Sequence, residues 1–148
     1  MSLTNSQLAT FKAAILADSN LAAARAAGDH GAIAAYYAGA SAGTIWRPSI
    51  PTPELNTAIV WSEFAVLTAL QQNTYMALIA PGAVDATKAN VRGGFTTVFG
   101  AATTSRANLT TIAQRTATRF EALFTTSNVC SLFGYTASVQ DIVDALGS

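Results

Sequence analysis

At 148 residues the chain is long enough for one domain with a buried core. Its eight bases and eight acids balance, so net charge points to neither a nucleic-acid nor a membrane-surface protein. Charged residues are only 11% of the chain, against roughly 25% in an average soluble domain. So few charges suit a monomer poorly, and the Ala and Thr that replace them suit packing against other subunits; the other reading is an alanine-rich composition without further meaning. Oligomerisation is the expectation.

The single cysteine, Cys130, excludes an intrachain disulfide and a cysteine-built zinc site. It reads as a small apolar filler in a protein made in a reducing cytosol. No run of about 18 apolar residues exists, so no membrane span is expected. The segment MSLTNSQLATFK is polar where a secretory signal would be apolar, which predicts synthesis in the cytoplasm.

In chain order, Thr4 and Gln7 have capping-box spacing, with Leu3 and Leu8 at the staple positions. Leu8, Phe11 and Ile15 follow on one helical face. Asp18-Ser19-Asn20 ends this helix or restarts it as LAAARAAG, closing on Gly28. Asp29 caps a short helix with Ile33, Tyr36 and Tyr37, stopped by Gly39. Ala40 to Pro51 holds two prolines, glycine and serines and reads as extended or irregular. Trp46 and Arg47 lie within it, and a loop tryptophan is either a clamp over its own core or an anchor for a partner.

Thr52-Pro53 starts the next helix as cap and first helical residue, with Leu55, Ile59 and Trp61 as candidate apolar stripe and a break within Ser62–Leu67. Thr68 and Gln71 repeat the capping box before Tyr75, Leu78 and Ile79, and Pro81-Gly82 ends that helix. A helix is expected near Thr87–Phe99, a loop at Gly100–Thr103 and a helix from about Thr104. Thr118 and Glu121 again have capping-box spacing, so the last of these is either interrupted near Thr116 or runs to Phe124. TTSNVCSLFGY is turn-like, with Val129, Leu132 and Phe133 as a small apolar group. Ser138 opens a terminal helix whose inner side reads as Val139, Ile142, Val143 and Leu146. With no convincing strand, the expectation is all-α: a compact bundle of about six to eight short helices in a single domain, residues 1–148, with an extended Pro-containing segment near residues 40–51.

Residues 85–124 form the chain's basic stretch, carrying Lys88, Arg92, Arg106, Arg115 and Arg119 with no acid between Asp85 and Glu121. Arg115 and Arg119 are four apart, a spacing that shares a helix face. Asp141 and Asp144 on the terminal helix offer a complementary acidic surface. The bases meet such acids, within the subunit or on a neighbour, or face DNA, or form a plain solvated face. Five bases without an aromatic platform do not predict sequence-specific recognition. Gly93-Gly94 reads as a site of close helix approach or a kink, rather than a phosphate turn. His30, the only histidine, lacks a second ligand nearby and reads as a turn residue. No G-x-S-x-G, no phosphate loop and no paired nucleophile and base occur, so no catalytic, metal or cofactor site is expected.

The order LTNSQLATFKAAILAD, AYYAG, TIWRPSIP, TPELNTAIVW, ALQQNTYMALIAPGAVDATKANVRGGFTTVFG, RTATRFEALF and GYTASVQDIVDAL resembles small proteins encoded among the structural genes of tailed bacteriophages and prophages. The resemblance implies a virion component and not an enzyme, best placed as a head–tail connector, or neck adaptor. Such a subunit would form a ring between portal and tail. Its implied partners are further copies of itself, the portal protein and tail or collar proteins, with packaged DNA nearby and no membrane. Its implied location is the virion neck, after synthesis in the bacterial cytoplasm. Trp46, Arg47, Lys88, Arg92, Arg106, Arg115, Arg119, Asp141 and Asp144 are the candidate interface residues. Other virion roles (collar, tail completion, minor capsid) and a small cytosolic helical nucleic-acid-binding or regulatory protein are the alternative readings.

Overall fold

A computed structural model describes residues 2–147. It is mostly helical, at 60% helix and 14% strand. The helices are more numerous than expected, ten among the described residues. Three strand pairs also replace a purely α architecture. The chain forms two compact units, one built from residues up to Gly43 together with those from Thr116 onward, the other from Thr44–Arg115.

The first unit begins with α1 (Asn5–Ala17), whose capping box is complete: the Thr4 amide donates to Gln7 and the Gln7 amide to Thr4. Phe11 and Ile15, four apart, are its buried face. A 3-10 turn at Ser19–Leu21 follows, capped by Asp18, and α2 (Ala22–Ala27) stops at Gly28. Gly28 has φ +65, where only a residue without Cβ sits at no cost. Asp29 caps α3 (His30–Ala38) by accepting from the Ala32 amide, and Ile33 and Tyr37 are its buried residues.

Tyr37 and Phe120 both set their rings edge-on to Phe11, at centroid distances of 4.9 and 5.0 Å. Phe120 belongs to α9 (Arg119–Leu123), which opens with the third capping box, Thr118 with Glu121. Glu121 is 1% exposed. Its carboxylate accepts from the Thr118 amide and from the Gly134 amide at 2.7 Å, so the buried charge is matched by donors. The turn-like segment beyond it is a hairpin, β5 (Thr125–Thr126) against β6 (Val129–Cys130), antiparallel. Ser127 and Asn128 make its two-residue turn with φ 51 and 61, the positive values such turns demand.

The unit closes with α10 (Val139–Gly147), which packs on α1 and α3. Its inner side differs from expectation: Asp141, Ile142 and Ala145 are buried, and Val139 and Val143 face outward. The cause is the cap. The Asp141 carboxylate accepts from the amide and hydroxyl of Ser138 and from the hydroxyl of Tyr135. That network turns position 141 inward and, one stripe round the helix, the two valines outward.

The second unit is organised round Tyr75, fully buried at the centre of a row of edge-to-face rings that includes Phe64, Phe95 and Phe99. Its hydroxyl donates to Asn56 at 2.8 Å, and burial pushes its pKa up to about 12. Tyr75 and Ile79 form the inner face of α6 (Ala69–Ile79), which has the expected capping box at Thr68 and Gln71. Ahead of it, α4 (Thr52–Ala58) is capped one residue earlier than expected, at Pro51. Thr52 is instead the first helical residue, and its hydroxyl donates to the Ile79 carbonyl. A first break comes at Ile59–Val60, where the buried Ser105 hydroxyl accepts from the Val60 amide; α5 (Trp61–Ala65) then turns Trp61 outward, 54% exposed, and ends at Val66, within the stretch where a break was expected.

Gly82, at φ +85, ends the α6 region, and β2 (Ile50–Pro51) pairs with β3 (Ala83–Val84) antiparallel. Next come α7 (Ala89–Val98) and α8 (Thr104–Ala113), with the expected loop between them. Gly94 accounts for half of the glycine pair: a Cβ there would stand 2.9 Å from a Leu78 methyl, so α7 packs closely on α6 and alanine would require the Leu78 side chain to shift. Nothing approaches Gly93. Val98, Phe99 and Leu109 are buried, and Phe95 and Ile112 pack against them.

The helix is interrupted near Thr116, the first of the two expected alternatives, and the interruption is a strand. Here β4 (Gln114–Thr118) is the neighbour of β1 (Ala40–Trp46) in a two-stranded sheet. The chain leaves the first unit within β1 and returns to it within β4. Extended geometry at residues 40–51 therefore holds, with most of it hydrogen-bonded.

Candidate interaction site

In the second unit, the end of β1, β3, α7 and α8 enclose a cavity of about 300 Å³. Its walls are apolar: Trp46, Leu55, Val91, Phe95 and Leu109 among them, with Arg92 and Arg106 as its charged groups. Trp46 packs against the core of its own unit, the clamp of the two alternatives that its position in the sequence allows. The Arg92 guanidinium lies over its ring at 4.6 Å, a cation–π contact. Arg92 is itself fixed, donating to the carbonyls of Ala86 and Thr87 at 2.6 and 2.9 Å.

Arg47 sits beside this site as a structural tie. It forms a two-pronged pair with Glu54 at 2.5 and 2.9 Å and donates to the Ile112 carbonyl, joining the end of β1 to α4 and α8. The Glu54 bond holds the guanidinium above its ordinary pKa against the opposing effect of burial, and the same bond holds the Glu54 carboxyl low. Glu63 is also held low, by the Ser105 hydroxyl and then by the amides of Ser105 and Thr104 at the start of α8.

The remaining candidates are scattered. Lys88 precedes α7 with its ammonium 4.0 Å from Asp85 and is well exposed. Arg115 lies on β4 and Arg119 starts α9, so the two do not share a helix face as their spacing suggested. Arg115 is half-buried and engaged within the structure. In the first unit Arg119 donates to the Tyr36 carbonyl at 2.9 Å and covers the Tyr36 ring at 4.3 Å. Gly39 leaves room for this guanidinium, since a Cβ there would collide with its nitrogen. Asp141 is a buried cap residue, not an acidic surface, and it does not share an exposed face with Asp144. His30 opens α3 and is half-buried.

Taken through all sixteen charged groups, two stand apart. Arg106 is, among the described residues, the base for which the structure shows no side-chain hydrogen bond and no acid. Asp144 is the acid that has neither a cation nor a backbone amide, only the side-chain amide of Gln140 at 2.7 Å. Every other carboxylate accepts from the chain's own amides or pairs with a base. Sequence reasoning named both residues but could not single them out, because the partners of the others lie far along the chain.

Among the described residues no group of His, Cys, Asp and Glu is arranged to hold a metal ion, and no helix is long and apolar enough to cross a membrane. Compared with known proteins, the chain matches no family model, no curated protein and no solved structure.

Proposed function

We propose that this chain is a structural subunit of a tailed-bacteriophage virion, a head–tail connector that assembles as a ring between portal and tail. The observation that carries the reading is the surface. Leu16, Trp61, Val66, Leu70, Met76, Val139 and Val143 are large apolar side chains left exposed on the described residues. The charges that would keep such a surface in water are few, and most are engaged within the fold. Exposed apolar groups on a weakly charged surface suit burial between subunits. The chain-order resemblance to small phage structural proteins supplies the particle and the position in it.

The basic stretch supports assembly over DNA binding. Arg92 and Arg119 point their donors at carbonyl oxygens of their own chain, which leaves fewer positive groups for phosphates. In mechanism, each subunit would bury part of its apolar surface on the next, and closure of the ring would multiply weak contacts into a stable collar. The test is co-sedimentation of the purified full chain with purified portal complexes of the same phage. Multimers that associate with the portal are expected; a monomer that ignores the portal at all concentrations would refute the reading.

A further inference from the structure

The cavity in the second unit and the outer face of α10 have matching chemistry. One offers apolar walls with the unpaired Arg106 guanidinium; the other offers Val139 and Val143, 50% and 40% exposed, beside the unpaired Asp144. We propose that the α10 face of a second copy docks at this cavity, with the valines on its apolar wall and Asp144 of that copy paired with Arg106. The inference rests on the ring reading above and deepens it by naming the two surfaces that meet.

Charge complementarity argues for a second copy as the occupant. In a chain with equal numbers of acids and bases, the residues not matched inside the fold are one of each sign, and each stands beside apolar surface. A helix presenting valines at i and i+4 with an acid on the adjacent position suits a groove with one cation. The two surfaces are different patches of the molecule, so the contact is heterologous. Repetition of such a contact closes into a ring or grows as a filament. Burial of apolar area supplies the affinity, and the ion pair fixes the register and rejects wrong docking.

The experiment is sedimentation velocity of the full chain over a concentration series, with Arg106→Glu, Asp144→Arg, the double variant and an equimolar mixture of the two singles. Thermal midpoints of the variants serve as the check on folding, since neither side chain holds the fold together. Each single reversal is expected to weaken self-association at least tenfold. The mixture and the double variant are expected to restore it, because contacts between unlike copies in the mixture, and between identical copies of the double variant, then join opposite charges. Thr110→Trp, which places a ring at the cavity, is expected to abolish association without a reversal of charge. Single reversals that associate as the wild type does, or loss in both singles without rescue on mixing, would overturn the docking but leave the ring reading standing. A wild type that stays monomeric would overturn both. Thr110→Trp chains that self-associate as the wild type does would overturn the proposal.

Discussion

Two glycines in unlike surroundings respond oppositely to the same substitution. Gly93 lies inside α7 with open space where a Cβ would go, so Gly93→Ala is expected to raise stability by about 1 kcal/mol, the helix-propensity difference. Gly39→Ala drives a methyl against the Arg119 guanidinium and, at 3.1 Å, the Tyr36 carbonyl. Displacing that guanidinium loses a charged hydrogen bond, and a cost of about 1.5–3 kcal/mol is expected. Urea unfolding of both variants checks the two signs together. At this scale legibility depended on distance along the chain. The capping boxes at Thr4, Thr68 and Thr118 were readable because donor and acceptor are three residues apart. The roles of Arg47 and Arg119 were not, because their carbonyl partners are 65 and 83 residues away.

Among the elements, α9 shows how a short helix is held by one side chain. Glu121 completes its cap and also holds the Gly134 amide beyond the hairpin, so five residues are anchored at both ends. Glu121→Ala would strip both amides of their acceptor, each left alone costing about 1–3 kcal/mol. A fall of that size in unfolding free energy is the expected result; an unchanged denaturation curve would remove Glu121 from this role. The helices were legible because their starts carry local signals and their apolar residues recur at helical spacing. The strands were not. ASAGTIW buries only Ile45 and QRTAT only Ala117, so neither shows the alternation that marks a half-buried strand. Their pairing is a long-range choice that single-segment pattern does not report. The outward turn of Val139 and Val143 escaped for a related reason: hydrophobicity favoured them as core, and the Ser138–Asp141–Tyr135 network overrode it.

For the whole molecule, stability at high pH follows from the tyrosines. Tyr37, Tyr75 and Tyr135 are each pushed up to about 12, by burial first and, at Tyr135, by the Asp141 carboxylate as well. Their unfolded value is about 10. A phenol whose folded pKa is raised contributes stability that is complete below the unfolded pKa and is lost as pH rises through the folded one. The thermal midpoint is therefore expected to hold up to about pH 10 and to fall between about 10 and 12. Tyr75→Phe, which removes one of these phenols, should shallow that fall; an equally steep curve would contradict the account. The basic stretch at residues 85–124, the most suggestive feature of the sequence, contributes packing in the second unit and lends Arg119 to the first. Its charge is largely consumed by that packing, leaving Arg106 at the cavity and the exposed Lys88. The central claim is that this fold exists to assemble. Multi-angle light scattering of the purified full chain, followed by electron microscopy of the same fractions, tests it most directly: the account predicts a single closed ring of many copies, and a mass that stays at one copy across the whole concentration range would contradict it.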